Sequence, residues 1–419
     1  MIIALGYAWS ELFTLGKTLL YLFLTTTLID IVLLYHKKSI TANRQMEDRF
    51  SNGDDNDIRL SVHNYYPFDV KLNIIDEIPF QFQRRDVNFT MRIKTNGEKA
   101  MHYQLRPTER GIYSFGKIRI FVHTLLYLVE RRYSIENTKD VKVYPAYKRL
   151  RQYELMALNN QYLEYGIKKI RRAGNNTEFE QIKDYVVGDD FRTINWKASA
   201  RRHTLMTNVY QNERSQHVYS IIDKGRAMQR AFNGMTLLDY SINASLALSF
   251  SATVRYDKAG LMAFSSKFDT FVPASRHEGQ MHLLQERLYA QKTDFGESDF
   301  SALGINVMQH ESKRSLLILY TDFSSMIAMK RQLPYLIQLA QHHILLVVFF
   351  KDMQLAEYVE TPAKNAKEYY QHVIADKTAY EKQLIVSTLQ QYGIYALLTR
   401  PQDLCIRVIN KYLEIRNRM

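Results

Sequence analysis

The sequence predicts a multidomain protein of mixed class, α/β plus all-β. An amino-terminal membrane helix leads into a β-sandwich and then a Rossmann-type, mostly parallel sheet with helices on both faces. Three observations predict it. A long apolar run lies near the amino terminus, short runs of period two fill the stretch after it, and past His217 apolar strands alternate with longer helical patterns. The expected boundaries are 1–38 for the anchor, 39–147 for the sandwich, 148–214 for a connecting segment rich in charge, and 215–419 for the α/β domain.

The anchor comes first. Leu12 to Tyr35 is apolar apart from Lys17, Asp30 and a few hydroxyls, and a run of that length crosses a bilayer. Lys17 sits near one end, where it can snorkel; Asp30 lies deeper and is expected to face another helix or the interface. MIIALGYAWSE has neither a basic beginning nor a small-residue cleavage site, so the segment is expected to stay attached, with Met1 to Trp9 as the remnant of, or the turn from, a second membrane segment. His36, Lys37, Lys38 and Arg44 follow the apolar run, which by the positive-inside bias puts the bulk of the chain in the cytoplasm, at the cytoplasmic membrane. The Gly16-Lys17-Thr18 triplet is no P-loop, because Glu11 stands where that motif needs glycine.

In the sandwich region DIRLSVHN, DVKLNIID, FTMRIKT, YSFGKIRIFV and VKVYPAY alternate apolar and polar residues, and the glycines of RPTERGIYSFG mark a turn or bulge. No catalytic constellation stands out there. In the α/β region HVYSIID, AGLMAFSS, RSLLILYTD, ILLVVFF and IYALLTR are the expected strands, with helices over LLDYSINASLALSFSATV and QMHLLQERLYAQ. Functional groups of such sheets gather at the carboxyl ends of strands, where Asp223 and Asp322 stand. The final stretch QDLCIRVINKYLEIRNRM reads as an amphipathic helix, with Leu404, Val408 and Ile409 inward and Lys411, Arg416 and Arg418 outward.

Composition narrows the function. A net charge of +13 suits nucleic acid, anionic lipid or an acidic partner, and the single Cys405 excludes a disulfide framework or a cysteine zinc site. The basic runs KKIRR, Lys168 to Arg172, and KASARRH, Lys197 to His203, are interleaved with acids and carry no nucleic-acid-binding motif, so no nucleic acid is expected and membrane lipid is. The histidines are scattered without metal-ligand spacing, and His342 and His343 close a helix.

The densest chemistry is EFEQIKDYVVGDDFRTINWKASARRHTL, Glu178 to Leu205. Gly188, Asp189 and Asp190 signal a turn and a helix start. Phe191, Ile194 and Ala198 then fall on one helical face and Arg192, Trp196 and Ser199 on another. The expected arrangement is a polar clasp between domains, with Arg192 against Asp184 or Asp189 and Trp196 as a lid. The alternative is a metal-dependent hydrolase or phosphodiesterase that uses Glu178, Glu180, Asp184, Asp189 and Asp190 with Lys197, although no nucleophile stands nearby.

The ordered set Glu178, Phe179, Tyr185, Gly188, Asp189, Asp190, Arg192, Ile194, Trp196, Lys197, Ala200 and Arg201, followed by HVYSIIDKGRAM, resembles the signature of the bacterial domain of unknown function 58 family. The resemblance implies a membrane-anchored, non-enzymatic adaptor or assembly factor at the cell envelope with a von Willebrand factor A-like carboxyl-terminal domain. It implies as partners a MoxR-type AAA+ ATPase and other von Willebrand A proteins. Such domains often hold a divalent cation through an Asp-x-Ser-x-Ser motif, a distant Thr and a later Asp. Here the motif reads Asp223, Lys224, Gly225, Arg226, Ala227, so both serine hydroxyls are missing. Asp322 stands for the late aspartate and Ser298, Asp299 or Ser301 for the middle loop. The expected cofactor is none: Arg226 or Lys224 replaces the metal and neutralises Asp223 and Asp322, the alternatives being that both basic side chains point to solvent or, disfavoured, that a divalent cation sits on Asp223, Ser301 and Asp322.

Overall fold

The computed structural model describes residues 10–84, 87–148, 150, 178–186, 189–211, 215–352 and 365–418. The chain divides into two units, Met1–Lys148 and Arg149–Met419.

In the first unit helix α1, Ser10–Tyr35, presents apolar side chains outward along most of its length. Its exceptions, Asp30 and Leu34, are fully buried. Asp30 does not face another helix. Its carboxylate accepts from the Thr124 hydroxyl and, at 3.0 Å, from the Val129 N–H, both in the sandwich. The last turn of α1 is held in the same way: Tyr66 donates to the Leu34 carbonyl at 2.6 Å, and Arg131 donates to the carbonyls of Leu34 and Lys37. Carbonyls that the helix end leaves without intrahelical donors are thereby satisfied.

Ten strands follow: β1 (Ile40–Met46), β2 (Arg49–Ser51), β3 (Asn56–Asn64), β4 (Val70–Asp76), β5 (Asn88–Ile93), β6 (Glu98–Leu105), β7 (Gly111–Phe115), β8 (Ile118–His123), β9 (Glu130–Ile135) and β10 (Lys139–Tyr144). They form sheets ordered β1-β3-β6, β5-β4-β8-β9 and β2-β10-β7. Every second residue of β3 and β4 is buried, as period-two patterning requires. Leu60, Leu72, Ile74, Ile120 and Val122 fill one core, and Phe50, Ile58, Tyr113, Phe115 and Val143 a second. The run YSFGKIRIFV is two strands rather than one. It breaks at Gly116, where a Cβ would lie 2.6 Å from the Glu77 carboxylate.

Arg44, expected among the charges flanking the membrane, is instead buried between sheets. It grips Asp76 of β4 through two nitrogens and donates to the carbonyls of Asn137 and Gly116 at 2.9 and 3.1 Å. Tyr103 of β6 donates to the same Asp76 carboxylate. Burial, together with this carboxylate, raises the Tyr103 pKa and keeps the phenol a donor.

The second unit begins with the hairpin of β11 (Glu178–Asp184) and β12 (Met206–Gln211), with the short helix α2 (Trp196–Arg202) between them. The rest is built on six strands: β13 (His217–Asp223), β16 (Lys258–Phe264), β17 (Phe268–Ser275), β18 (Leu316–Tyr320), β19 (Ile344–Phe350) and β20 (Tyr395–Thr399). A two-stranded ribbon, β14 (Ala231–Phe232) with β15 (Met235–Thr236), precedes α3 (Leu237–Val254). The other helices are α4 (Gln280–Tyr289), α5 (Phe300–His310), α6 (Met326–His342), α7 (Ala366–Gln391) and α8 (Leu404–Arg418).

The sheet order is β17-β16-β13-β18-β19-β20, all parallel except the edge strand β17. Both faces of β18 are buried, which is why LLILY reads as an unbroken apolar run. One face packs α5, α6 and α7 through Phe300, Leu303, Leu336, Ile385 and Leu389. Helices α3 and α8 pack together beside β13 and β16. Within α8, Leu404, Val408 and Ile409 are buried as expected, but Arg416 is not an outward charge. It donates from Nε to buried Asp257 at 2.7 Å, alongside Tyr412 at 2.5 Å.

Cutting the Arg44–Asp76 pair strands a buried charge, so Arg44→Ala is expected to destabilise the first unit by about 3–5 kcal/mol. Hydrogen exchange of the full-length protein, read by mass spectrometry, should show the loss of protection in β1, β4 and β6, with β13 and β18 unchanged.

Candidate functional site

Numbered by their order in the chain, the six strands lie 3-2-1-4-5-6, so the switch point of the sheet falls between β13 and β18. Asp223 closes β13, and Thr321 and Asp322 follow β18. Asp223 is 1% exposed. One oxygen accepts from the Gly225 N–H at 2.8 Å and from the Ser298 hydroxyl, and the other accepts from the Thr321 hydroxyl at 2.7 Å. Burial pushes its pKa above the usual value near 3.8, and the three hydrogen bonds oppose that shift only in part. Gly225 is required by the close approach of these groups. A Cβ there would lie 2.0 Å from the Ser298 hydroxyl oxygen, in the space that hydroxyl needs to reach Asp223.

Asp322 is met differently. Lys382, from the inward face of α7, donates to it, and Arg230 approaches at 3.4 Å while also holding Asp352 at 2.9 Å. Neither Lys224 nor Arg226 neutralises the two aspartates. Lys224 is buried and turns to Asp269 on β17, and Arg226 is exposed, anchored through its backbone N–H to the Gly296 carbonyl at 2.9 Å. The middle-loop hydroxyl is that of Ser298; Ser301 contributes its backbone N–H to the Asp299 cap of α5. Both oxygens of Asp223 accept from protein donors, and the Lys382 ammonium reaches Asp322.

Lys382 was missing from the residues singled out by motif. Its signal was periodic: Lys382, Ile385 and Leu389 share one helical face, and the two apolar members are fully buried. A lysine on such a stripe needs a buried carboxylate.

The Glu178-to-Leu205 segment builds a second candidate surface. Glu178 and Phe179 lie in β11, paired with Gln211 and Tyr210 of β12, and the Tyr185 N–H continues the pairing to the Leu205 carbonyl at 2.8 Å. Gly188 and the basic run 168–172 lie outside the described residues. Asp189 is held by Lys183 at 2.9 Å and by the Val186 N–H at 3.1 Å, and the Lys183 bond lowers its pKa. Asp190 caps the tight turn Phe191–Thr193 by accepting from the Arg192 N–H.

One continuous helix from Phe191 does not form. The backbone of Ile194 is extended and bridges to Thr207, and Asn195 caps a new helix at the Ala198 N–H, 2.9 Å away. Arg192 therefore meets neither Asp184 nor Asp189 and lies over the Phe191 ring at 5.7 Å. Trp196 is no lid: it is 71% exposed and Phe191 68%, with Lys197, Ala200 and Arg201 exposed on α2 and Ile194 half-buried.

Part of the chain is similar to known proteins. Residues 181–357 match the family described as Protein of unknown function DUF58. The DUF58 match takes in the exposed aromatic turn, Asp223 and Asp322, and ends before Lys382. The chain is also similar to the uncharacterized protein YeaD of Bacillus subtilis (strain 168), 27% identical over 216 residues, and spans about half of that relative's length (49% of this chain, 53% of YeaD). Similar solved structures include the CARDB domain of a Pyrococcus furiosus protein in complex with di-metal ions, at 19% identity over 26% of this chain and 94% of that one, TM-score 0.20. The ASH/PapD-like domain of human CEP192 matches at 13% identity over 26% of this chain and 89% of that one, TM-score 0.20.

Lys382→Met leaves Asp322 buried with only long bonds from Arg230 and the Phe350 N–H, each at 3.4 Å, so a loss of about 3–5 kcal/mol is expected, part of which Asp322→Asn in the same protein should restore. Denaturant unfolding of the single and double variants measures both. The pH dependence follows from the sign of the Asp223 shift. A carboxyl whose folded pKa is raised contributes stability that is complete below its unfolded value and is lost as pH rises through the folded one. The stability of Asp223→Asn relative to the parent should therefore improve as pH rises from about 4 towards neutrality; a difference that is flat with pH would remove Asp223 as the titrating group.

Proposed function

We propose that the chain is a membrane-anchored, non-enzymatic adaptor or assembly factor of the cell envelope, facing the cytoplasm and working with a MoxR-type AAA+ ATPase and other von Willebrand A proteins. The observation that carries this reading is the surface of the DUF58 segment. Trp196, Phe191 and Arg192 stand outward on a hairpin-supported turn, and tryptophan, aromatic and arginine side chains of this kind dominate the energetics of protein interfaces. The von Willebrand A-like reading of the second unit is supported by the 3-2-1-4-5-6 order with an antiparallel edge and by acidic residues at the switch point. Anchoring is supported by Phe13–Tyr35, a helical stretch long and apolar enough to cross a bilayer. The hydrolase reading is weaker, because Asp189 and Asp190 are already engaged by Lys183 and by the backbone N–H groups of Val186 and Arg192.

The test is capture of partners by the tagged full-length protein from detergent-solubilised native membranes, beside Arg192→Ala/Trp196→Ala. Recovery of an AAA+ ATPase by the parent, reduced at least about tenfold in the variant, is expected of a hot-spot pair. Equal recovery by both would move the docking surface elsewhere, and no ATPase with either would sink the partnership.

A further inference from the structure

The six residues between β8 and β9, Thr124 to Val129, read TLLYLV. Leu125, Leu126, Tyr127 and Leu128 are 74, 52, 46 and 38% exposed. Four consecutive apolar side chains facing outward is an expensive arrangement in water. The loop is nonetheless built rather than loose. The Thr124 hydroxyl accepts from the Leu126 N–H at 3.1 Å, Tyr127 takes a left-handed φ of 57°, and the Thr124 hydroxyl and Val129 N–H close on Asp30 of α1. The two ends of the loop are thus fixed to Asp30 of α1, which holds the apolar tip on the same side of the sandwich as the helix.

We infer that this loop inserts into the bilayer beside α1, so that the first unit docks on the membrane through two elements, the helix and the Leu125–Leu128 tip. The inference rests on the membrane anchoring proposed above. Depth supports it. At about 1.5 Å per residue a hydrocarbon layer of about 30 Å takes about 20 residues. Counted from Phe13, the start of the apolar stretch, that layer ends near Val32, which leaves Asp30 just inside it. A carboxylate at that depth needs protein donors, and the donors it has are those of the loop, which must therefore reach the same level.

The surrounding groups suit an anionic lipid surface. Lys37 and Lys38 follow the helix and are exposed, and Lys71 lies 4.6 Å from the centre of the Tyr127 ring, an aromatic at the level such rings favour in membrane interfaces. The nearby carboxylates Glu130 and Asp69 are engaged by His123 at 3.0 Å and by the Thr95 N–H at 2.9 Å.

The experiment places an environment-sensitive fluorophore on single cysteines in full-length Cys405→Ser protein, reconstituted into phosphatidylcholine/phosphatidylglycerol vesicles with or without spin-labelled quencher lipids. Leu126→Cys probes the loop, Leu24→Cys the helix, and Glu136→Cys the opposite end of β9, expected in water. Blue-shifted emission at Leu126→Cys, quenched by the lipid label to a degree comparable with Leu24→Cys and absent at Glu136→Cys, is the expected result. A quenched helix probe with a water-exposed loop probe overturns the insertion while anchoring stands. A loop probe that is blue-shifted but unquenched puts the tip against protein and also overturns it. If the helix probe itself is unquenched, anchoring fails and the insertion with it.

Discussion

A carboxylate removed from water must be met by donors or by a cation, and that constraint organises both units. Asp76 is met by Arg44 and Tyr103, Asp257 by Tyr412, Arg416 and the Gln216 N–H, Asp30 by Thr124 and Val129, Asp223 by hydroxyls, and Asp322 by Lys382. In each case at least one partner comes from a distant part of the chain. Apolar packing tolerates several arrangements of the same elements, whereas a buried carboxylate accepts only the one that brings its donors. The ends of β4, β13 and β18, the start of β16 and the last turns of α1 are positioned by these demands.

At the switch point the two solutions differ, and the difference bears on function. Asp223 meets neutral donors, which offset only part of the upward push that burial gives its pKa, while Asp322 is met by the Lys382 ammonium. An open cation site needs oxygen ligands held apart with a vacancy between them. Here Gly225 allows the Ser298 hydroxyl to close on Asp223, and α7 delivers an ammonium to Asp322. What stands outward on the turn before α2 and at its first residue is aromatic and basic: Phe191, Arg192 and Trp196.

Much of the architecture was legible in the sequence because burial on both faces writes continuous apolar runs. ILLVVFF and LLDYSINASLALSFSATV coincide with β19 and α3 to the residue. Among the strands without such a signal, β1, β6, β9 and β17 show only part of one face to a core and carry polar residues elsewhere, as ITANRQM, EKAMHYQL, ERRYSI and FDTFVPAS do. The candidate site was legible in its acids and illegible in their partners. Asp223 and Asp322 follow from strand ends, but the choice of Lys382 over Lys224 or Arg226 depends on how a helix far along the chain crosses the sheet, which no local spacing encodes. In the Glu178-to-Leu205 segment, helical periodicity ran straight through Ile194 and Asn195, where the chain's own strand β12 captures the backbone.

Asp30 links the proposed membrane placement to folding. An aspartate near the edge of the hydrocarbon layer disfavours insertion of its helix at that depth, by up to about 3 kcal/mol at the helix centre and less towards the interface. Its donors exist only after β8 and β9 have paired, because the Thr124 hydroxyl and the Val129 N–H are brought together by the turn between them. In the proposed placement, before that pairing α1 would sit more favourably with Asp30 drawn into the headgroups. After it, the carboxylate is solvated by protein, Leu34 enters the sandwich core, and Tyr66 and Arg131 close the helix end. If α1 spans a bilayer as proposed, helix depth and sandwich folding are two sides of one equilibrium: whatever weakens the sandwich would raise the helix towards water, and whatever fixes the helix at depth would stabilise the sandwich by the same free energy.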